Sequence, residues 1–220
     1  MVQQQSGDAQ TSSGADALQP WRGQHWLISG AAGSLGSALV QQLAKQGVIL
    51  VLVDKNKRVL DQLADEIEQS GGETPYLFPL DLAGASPEDY QRFVEALSEH
   101  LGHLDGVIHS AAHFEGLTPL MQVPALQWWV SLQANLSGPL LLSRELVPLL
   151  RAGAERRRVA AEAAGNENDA ELSYLAFTLD ELERCAEAYW GAYGTAQWAW
   201  HGLCRQFATE LSNLPISVQG

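Results

Sequence analysis

The chain has 220 residues, 46% of them hydrophobic, which is enough for one α/β domain with a large core. Twenty-six acidic residues against 13 Lys and Arg give a formal net charge of -13, which argues against a nucleic-acid or anionic-membrane partner because phosphate binding needs a positive face. Cys185 and Cys204 can form neither a disulfide framework nor a metal-ligand spacing, so we expect no metal and, by default, a cytoplasmic protein.

The first 20 residues consist mainly of Gln, Ser, Gly, Ala and Asp, without an apolar run or a basic start. This composition is typical of neither a signal peptide nor a membrane span. We therefore predict a disordered tail over residues 1–22 and one folded domain over residues 23–220.

The stretch from Trp26 to Gly36 is typical of a short strand, a tight turn of small residues and the start of a helix. Gly30 permits the chain reversal, Gly33 lets N–H groups approach an anion, and Gly36 lets the helix pack closely on the strand. The helix N-terminus would then face a bound pyrophosphate. We predict cofactor contacts from this stretch at Ser29, Gly30, Gly33, Ser34, Leu35 and Gly36.

An apolar run over residues 47–53 predicts a second, buried strand that ends at Asp54. An acidic residue at this place can accept hydrogen bonds from an adenosine ribose and repels a 2′-phosphate, so we expect NAD rather than NADP. Three basic residues follow, Lys55, Lys57 and Arg58. They could pair with a 2′-phosphate or form a solvated first turn of a helix over residues 57–69.

Two further predicted strands end in candidate site residues. Strand 76–80 is followed by Asp81 and Leu82, at the strand edge where such sheets bind ligands. Strand 106–112 ends in small residues that permit a cofactor to approach the backbone closely, namely Ser110, Ala111 and Ala112. The polar helix between them, residues 87–102, carries histidines without a matching ligand set, so we predict no metal there.

From Pro124 to Leu150 the sequence predicts a long helix that is more apolar than one buried face requires, which favours a subunit interface and a homodimer or homotetramer. Asn135 inside this helix needs hydrogen-bond partners. Residues 151–171 are charged, small and aperiodic, and we predict an exposed, partly helical insertion.

The remaining pattern is a strand over residues 172–178, a helix over 188–211 and a last strand over 216–218. Six strands alternating with helices predict an α/β fold with a doubly wound parallel sheet, helices on both faces and right-handed crossovers.

From about Gln24 to Gly220 the chain resembles the short-chain dehydrogenase/reductase family. Six features occur in that family's order: the glycine turn, Asp54, Asp81, the small-residue turn at 109–112, Asn135 and Tyr193. The resemblance implies a Rossmann-like oxidoreductase fold with a nicotinamide dinucleotide across the strand ends. It further implies that Asp81 lies near the adenine, that Tyr193 is catalytic, and that Asn135 is a water-holding or structural member of the active-site tetrad.

Several positions depart from the family pattern. Ser34 stands where the second glycine of the turn is usual, and His109-Ser110-Ala111-Ala112 replaces the Asn-Asn-Ala-Gly turn. Gln197 stands where the family has a catalytic Lys, and Asp180 where it has a catalytic Ser. Relatives continue beyond the sixth strand, and we expect the family segment that follows it to be missing here through either truncation or a real loss.

The last two replacements affect proton transfer directly. A phenol has an ordinary pKa near 10, and the family's Lys ammonium lowers the pKa of its Tyr toward neutrality. Gln197 is neutral, and an ionised Asp180 accepts hydrogen bonds only and raises the pKa of Tyr193. We therefore expect weak or no standard hydride transfer, as in a pseudoenzyme.

These observations leave three hypotheses. The leading one is an NAD-binding, cofactor-responsive or scaffolding protein that has lost the standard catalytic set. The second is an active NAD-dependent oxidoreductase for an alcohol or carbonyl substrate, with Tyr193 and either His109 or His113 as acid or base. The third is an oligomerisation scaffold without cofactor, with an interface formed by Trp128, Trp129, Trp198 and Trp200.

Overall fold

Six parallel strands form one sheet in the order β3-β2-β1-β4-β5-β6. The computed structural model describes residues 21–163, Gly165 and residues 172–220. The bounds of the strands are β1 His25–Ser29, β2 Ile49–Asp54, β3 Tyr76–Pro79, β4 Gly106–His109, β5 Ser173–Phe177 and β6 Ile216–Gln219. The predicted doubly wound parallel sheet is confirmed.

Helices cover both faces of this sheet. Their bounds are α1 Ser34–Lys45, α2 Lys57–Gln69, α3 Pro87–Leu101, α4 Ala125–Leu132, α5 Gly138–Ala163, α6 Leu182–Cys185 and α7 Gly191–Glu210, with a 3-10 turn at Leu120–Gln122. The chain first builds β1 to β3 toward one edge and then returns to the other side of β1 with β4. The neighbouring strands β1 and β4 therefore form the point where the strand order reverses, which is where such sheets bind ligands.

Two hydrophobic cores lie on the two faces of the sheet. Alternate residues of a strand point to opposite faces, so Leu27 and Val51 pack in one core and Ile28 and Leu52 in the other. The first core joins the strands to α3, α5 and α7, and the second joins them to α1 and α2. Burial on both faces explains why β1 and β2 are continuously apolar.

The segment predicted as one helix from Pro124 to Leu150 has three parts. A π-helical turn over Gln133–Ser137 separates α4 from α5. Gly138 follows this turn directly, and a side chain there would press on the Gln133 carbonyl and on the Tyr90 hydroxyl. The interruption coincides with this close tertiary contact, which hydrophobic periodicity does not reveal.

Residues 151–163, predicted as part of an exposed insertion, continue α5. Gly153 and Ala154 are buried, and the Arg157 guanidinium donates to the fully buried Asp105 carboxylate and, at 3.1 Å, to Ser173 Oγ. A narrow contact stripe of small residues and one ion pair thus orders a sequence that looks aperiodic. Residues 164 and 166–171 of the predicted insertion, and residues 1–20 of the predicted tail, lie outside the described residues.

Candidate cofactor and active site

A cavity of about 470 Å³ opens at the carboxyl ends of the strands. It contains 13 of the residues predicted from the sequence: Gly30, Gly33, Ser34, Leu35, Asp54, Asp81, Leu82, Ser110, Ala111, Ala112, Asp180, Tyr193 and Gln197. Further lining residues were not predicted as cofactor contacts, among them Lys55, His113, Thr178 and Leu179. Thr178 and Leu179 follow β5 as Ser110 follows β4, so their place at a strand end is the signal that could have identified them.

The glycine turn connects β1 to α1 beneath this cavity. Gly30 has a φ of +72°, and a side chain there would collide with the backbone of Ala111. Gly33 is the N-cap residue of α1, where no side-chain hydrogen bond caps the helix and no acidic residue lies in the first turn. The first N–H groups of α1 and the positive end of its dipole are thus suited to a pyrophosphate.

Two predicted cofactor contacts do not line the cavity. Ser29 is fully buried, and its hydroxyl is 3.1 Å from His109 Nδ1. Gly36 lies beneath the turn, where a side chain would collide with the Gly30 carbonyl. Both residues support the turn from below because the strand and the helix pack against each other there.

The second strand brings Asp54 and Lys55 to the cavity side by side. The Asp54 carboxylate accepts hydrogen bonds from Ala32 N–H at 3.1 Å and from Asn56 N–H at 2.9 Å. Lys55 is exposed, whereas Lys57 is bonded to Asp61 on the surface of α2. The carboxylate is therefore engaged by backbone donors, and Lys55 presents a positive charge at this end of the cavity.

At the opposite end a polar network surrounds Tyr193. The phenol hydroxyl donates to Asp180 Oδ2 at 3.3 Å, and Arg184 pairs with the other carboxylate oxygen of Asp180. Gln197, which is buried, accepts from the Asp180 N–H at 3.0 Å. Asp180 and Gln197, which the resemblance places at the two altered positions, are therefore bonded to each other, and Asp180 is bonded to the phenol.

This environment determines the protonation states of Tyr193 and Asp180. Burial, followed by the charge of Asp180, raises the pKa of Tyr193 to about 12. Burial acts to raise the pKa of Asp180, but hydrogen bonds from Glu181 N–H and Arg184 outweigh burial and leave the Asp180 pKa below its ordinary value. Near neutral pH the site therefore combines an ionised carboxylate with a neutral phenol.

Asn135 does not line the cavity. Its side-chain oxygen accepts from His113 N–H at 2.7 Å, and its amide donates to the His113 carbonyl at 2.7 Å and to Ser131 Oγ at 3.1 Å. Its own carbonyl accepts from Trp200 Nε1 at 2.6 Å. Asn135, in the π-helical turn, thus holds the segment after β4 in place.

The two candidate acid–base histidines differ. His109 is buried between Ser29 Oγ and Ser143 Oγ, stacks on Phe177, and has a pKa lowered by burial to about 3. It is closed off from the cavity and is unsuited to proton exchange at neutral pH. His113 lines the cavity, with Nε2 2.7 Å from Glu115 Oε1.

Within the described ranges, no group of three or more His, Cys, Asp or Glu side chains is arranged to hold a metal ion. Nor does any described helix combine the length and the apolarity that crossing a bilayer requires.

Comparison with known proteins found a matching family model and similar proteins. The family model described as enoyl-(acyl carrier protein) reductase matches residues 30–219. The uncharacterized oxidoreductase YciK of Escherichia coli (strain K12) is 27% identical over 184 residues, which cover 84% of this chain. The chain spans 66% of that relative's length, slightly less than two thirds.

Two similar solved structures are short chain dehydrogenases, one from Shigella flexneri 2a str. 301 and one from Escherichia coli CFT073. They are 25% and 26% identical to the chain, each with a TM-score of 0.78. The matches cover 91% of this chain in both cases, and 77% and 76% of the other chains. The chain belongs to the short-chain dehydrogenase/reductase family. The resemblance inferred from the sequence is confirmed.

The expectation of NAD rather than NADP is contradicted by these two short-chain dehydrogenases, which were solved in complex with NADP and NADPH respectively. Asp54 was expected to face the adenosine ribose, but both of its carboxylate oxygens accept backbone N–H groups, and the adjacent Lys55 lines the cavity.

Proposed function

We propose that this short-chain dehydrogenase/reductase binds NADP(H) along the cavity and has little or no standard hydride-transfer activity. The observation that carries the proposal is the environment of Tyr193. Its hydroxyl donates to an ionised Asp180, and the side chain four residues later is the neutral Gln197. The alternative of a fully active oxidoreductase needs Tyr193 to exchange a proton near neutral pH.

Support for the cofactor comes from the residues along the cavity. The uncapped N-terminus of α1 and the turn at Gly30 and Gly33 are suited to the pyrophosphate. Lys55 is placed to pair with the 2′-phosphate, and Asp81 lines the same end of the cavity as the predicted neighbour of the adenine. When bound, the dinucleotide supplies the hydride donor or acceptor at its nicotinamide ring.

The proton-transfer half of the reaction is where the chain departs from its family. A phenol with a pKa of about 12 is a weak general acid at neutral pH. It can act as a general base only as the phenolate, which is scarcely populated at that pH. Gln197 brings no positive charge to stabilise the phenolate, and Asp180 opposes it. The arrangement keeps Tyr193 protonated and bonded to Asp180.

Binding is tested by titration with NADPH and NADH, following energy transfer from the seven tryptophans to the reduced nicotinamide. We expect micromolar binding of NADPH and weaker binding of NADH. Lys55→Gln should reduce the affinity for NADPH to that for NADH, because the 2′-phosphate loses its partner. Lys45→Gln, which removes the same charge at the far end of α1, is the matched control. The absence of saturable binding of either dinucleotide would contradict the proposal.

Activity is tested with the same protein on a panel of alcohols, ketones and sugars. We expect cofactor to bind without measurable turnover. Rapid turnover would contradict the proposed loss of catalysis and favour the alternative in which Tyr193 remains the acid–base group.

We also infer a self-association surface on α4 and α7. Leu126 and Trp129 on α4 are 74% and 67% exposed, and Trp198 on α7 is 45% exposed. Trp200, which we predicted at the interface, is instead a core residue stacked on Phe177. We expect a dimer in analytical ultracentrifugation that Trp129→Gln shifts toward the monomer; a concentration-independent wild-type monomer would contradict this surface.

A further inference from the structure

The cavity has two chemically different ends on either side of the glycine turn. The end at β2 carries Lys55, and the end beyond β5 carries Thr178, Asp180, Tyr193 and Gln197. Under the proposed function, a dinucleotide with its pyrophosphate at the turn and its 2′-phosphate at Lys55 directs its nicotinamide riboside to the Asp180 end. Any role of Asp180 toward the nicotinamide therefore rests on that function.

The charge at this end comes from Asp180. Its carboxylate receives hydrogen bonds from Glu181 N–H at 2.8 Å, from the Tyr193 hydroxyl and from Arg184, and these bonds keep it ionised. Gln197 and the protonated Tyr193 are neutral, and His113, which also lines the cavity, is bonded to Glu115.

Arg184 does not cancel this charge at the cavity surface. Its side chain is half exposed, its guanidinium lies over the Trp190 ring at 5.4 Å, and it is not among the residues that line the cavity. The pair of Asp180 and Arg184 is therefore a dipole with its negative end toward the cavity and its positive end toward solvent. Solvent screens the outer charge more strongly than the inner one.

The two redox forms of the cofactor differ at the ring that would face this carboxylate. The oxidised nicotinamide carries a positive charge, and the reduced nicotinamide is neutral. We propose that Asp180 is a specificity-determining residue that makes the chain bind NADP⁺ more tightly than NADPH. The preference is about fivefold, the size expected for one charge attracted across a few ångströms at the edge of a protein and partly offset by Arg184. The site thus distinguishes the oxidation state of the cofactor without changing it.

The test is the ratio of the dissociation constant of NADPH to that of NADP⁺, measured by isothermal titration calorimetry with the full chain. In the wild type we expect a ratio of about five. Asp180→Asn should bring it to about one or below, because the carboxylate charge is removed and Arg184 remains, and Arg184→Gln should raise it because the charge loses its counterion. Glu181→Gln, which removes an adjacent exposed carboxylate that does not line the cavity, should leave it unchanged.

A second ligand pair separates the two ends of the cavity. NAD⁺ and NADH lack the 2′-phosphate, so both should bind more weakly. The ratio of the dissociation constant of NADH to that of NAD⁺ should nevertheless equal the ratio for NADPH and NADP⁺. A wild-type ratio of one or below, or a ratio that neither Asp180→Asn nor Arg184→Gln moves, overturns the inference while leaving the proposed function intact. If no dinucleotide binds at all, both fail together. Melting temperatures of all variants establish that each is folded, and the opposite shifts expected for the two variants make a common loss of structure recognisable.

Discussion

Tyr193 illustrates how two neighbouring residues control one ionisation. In the wild type, burial and Asp180 raise the pKa of Tyr193 to about 12. The double change Asp180→Ser and Gln197→Lys removes a negative neighbour and adds a positive one, so both changes lower the pKa of the phenol. We expect a decrease of at least about one unit. The ultraviolet titration of the phenolate, taken as the difference from a matched Tyr193→Phe protein, measures it; an unchanged titration would contradict this account of the site.

His109 makes a separate prediction about stability and pH. Its pKa is lowered from 6.5 to about 3 in the folded chain, whereas the unfolded chain titrates near 6.5. Below pH 6.5 His109 is therefore protonated in the unfolded state but not in the folded state. The free energy of unfolding decreases as the pH falls toward 3. From pH 7.5 to pH 5.0 the loss is about 2 kcal/mol.

Urea unfolding at pH 7.5 and at pH 5.0 measures this loss. His109→Gln should lower the stability at pH 7.5, since it disturbs the hydrogen bonds to Ser29 and Ser143. It should also remove about 2 kcal/mol of the difference between the two pH values. An equal pH dependence in both proteins would show that His109 is not the group responsible.

At the residue scale, the sequence predicts positions better than it predicts contacts. Asp54 and Asp180 both line the cavity. The end of β2 locates the first of them, and the resemblance to the family locates the second at the position of the family's catalytic Ser. The contacts that determine their chemistry come from other parts of the chain, Ala32 for Asp54 and Arg184 for Asp180. Such partners depend on the path of the loops and on side-chain rotamers, and no periodicity encodes them.

At the element scale, α5 depends on small residues along its contact with the loop before β4. Gly153 packs so closely on Leu104 that a side chain there would collide with the Leu104 carbonyl. We expect Gly153→Ala to destabilise the protein by about 1–3 kcal/mol, as overpacking does in a tight core. Thermal unfolding measures the effect.

The matched control is Gly202→Ala in the middle of α7. Gly202 is exposed, and nothing lies within 4 Å of a side chain added there. Alanine has the better helix propensity, so this change should stabilise the protein by up to about 1 kcal/mol. Equal effects of the two substitutions would contradict the close packing of α5 on the loop before β4.

Helices α2 and α5 show how far the bounds of an element can be predicted from the sequence. The bounds of α2 match the prediction because its apolar residues recur at helical spacing and Asn56 caps its first turn. In α5 the buried stripe beyond Leu150 consists of Gly153 and Ala154, which leave little hydrophobic signal. The ion pair between Arg157 and Asp105 joins residues 52 positions apart, so local sequence could not indicate it.

At the scale of the whole molecule, cofactor binding should be visible in global stability. A ligand that binds only the folded state stabilises it by about 2.7 kcal/mol at a concentration one hundred times its dissociation constant. We expect NADPH at that concentration to raise the free energy of unfolding by this amount, as measured in urea. Lys55→Gln at the same NADPH concentration should show a smaller increase. An increase of equal size with Lys55→Gln would indicate that Lys55 does not contribute to the affinity.

The overall architecture was the most predictable level. Strand count, parallel direction and the doubly wound arrangement are indicated by the alternation of buried strands with amphipathic helices, and the structure confirms each of them. The preference for NAD, which depended on the single carboxylate of Asp54, was wrong. The topology of the sheet is indicated by the pattern of many residues together, whereas the choice of cofactor depends on a few side chains.

The reversal of strand order between β1 and β4 separates two groups of cavity residues along the chain. The residues suited to the phosphates and the adenosine follow β1, β2 and β3, whereas Tyr193, Asp180 and Gln197 follow β5 on the other side of the reversal. Substitutions in well-separated groups act nearly independently on free energy. Substitutions beyond β5 should therefore alter proton transfer while leaving the contacts of the phosphates and the adenosine, on the other side of the reversal, largely unchanged.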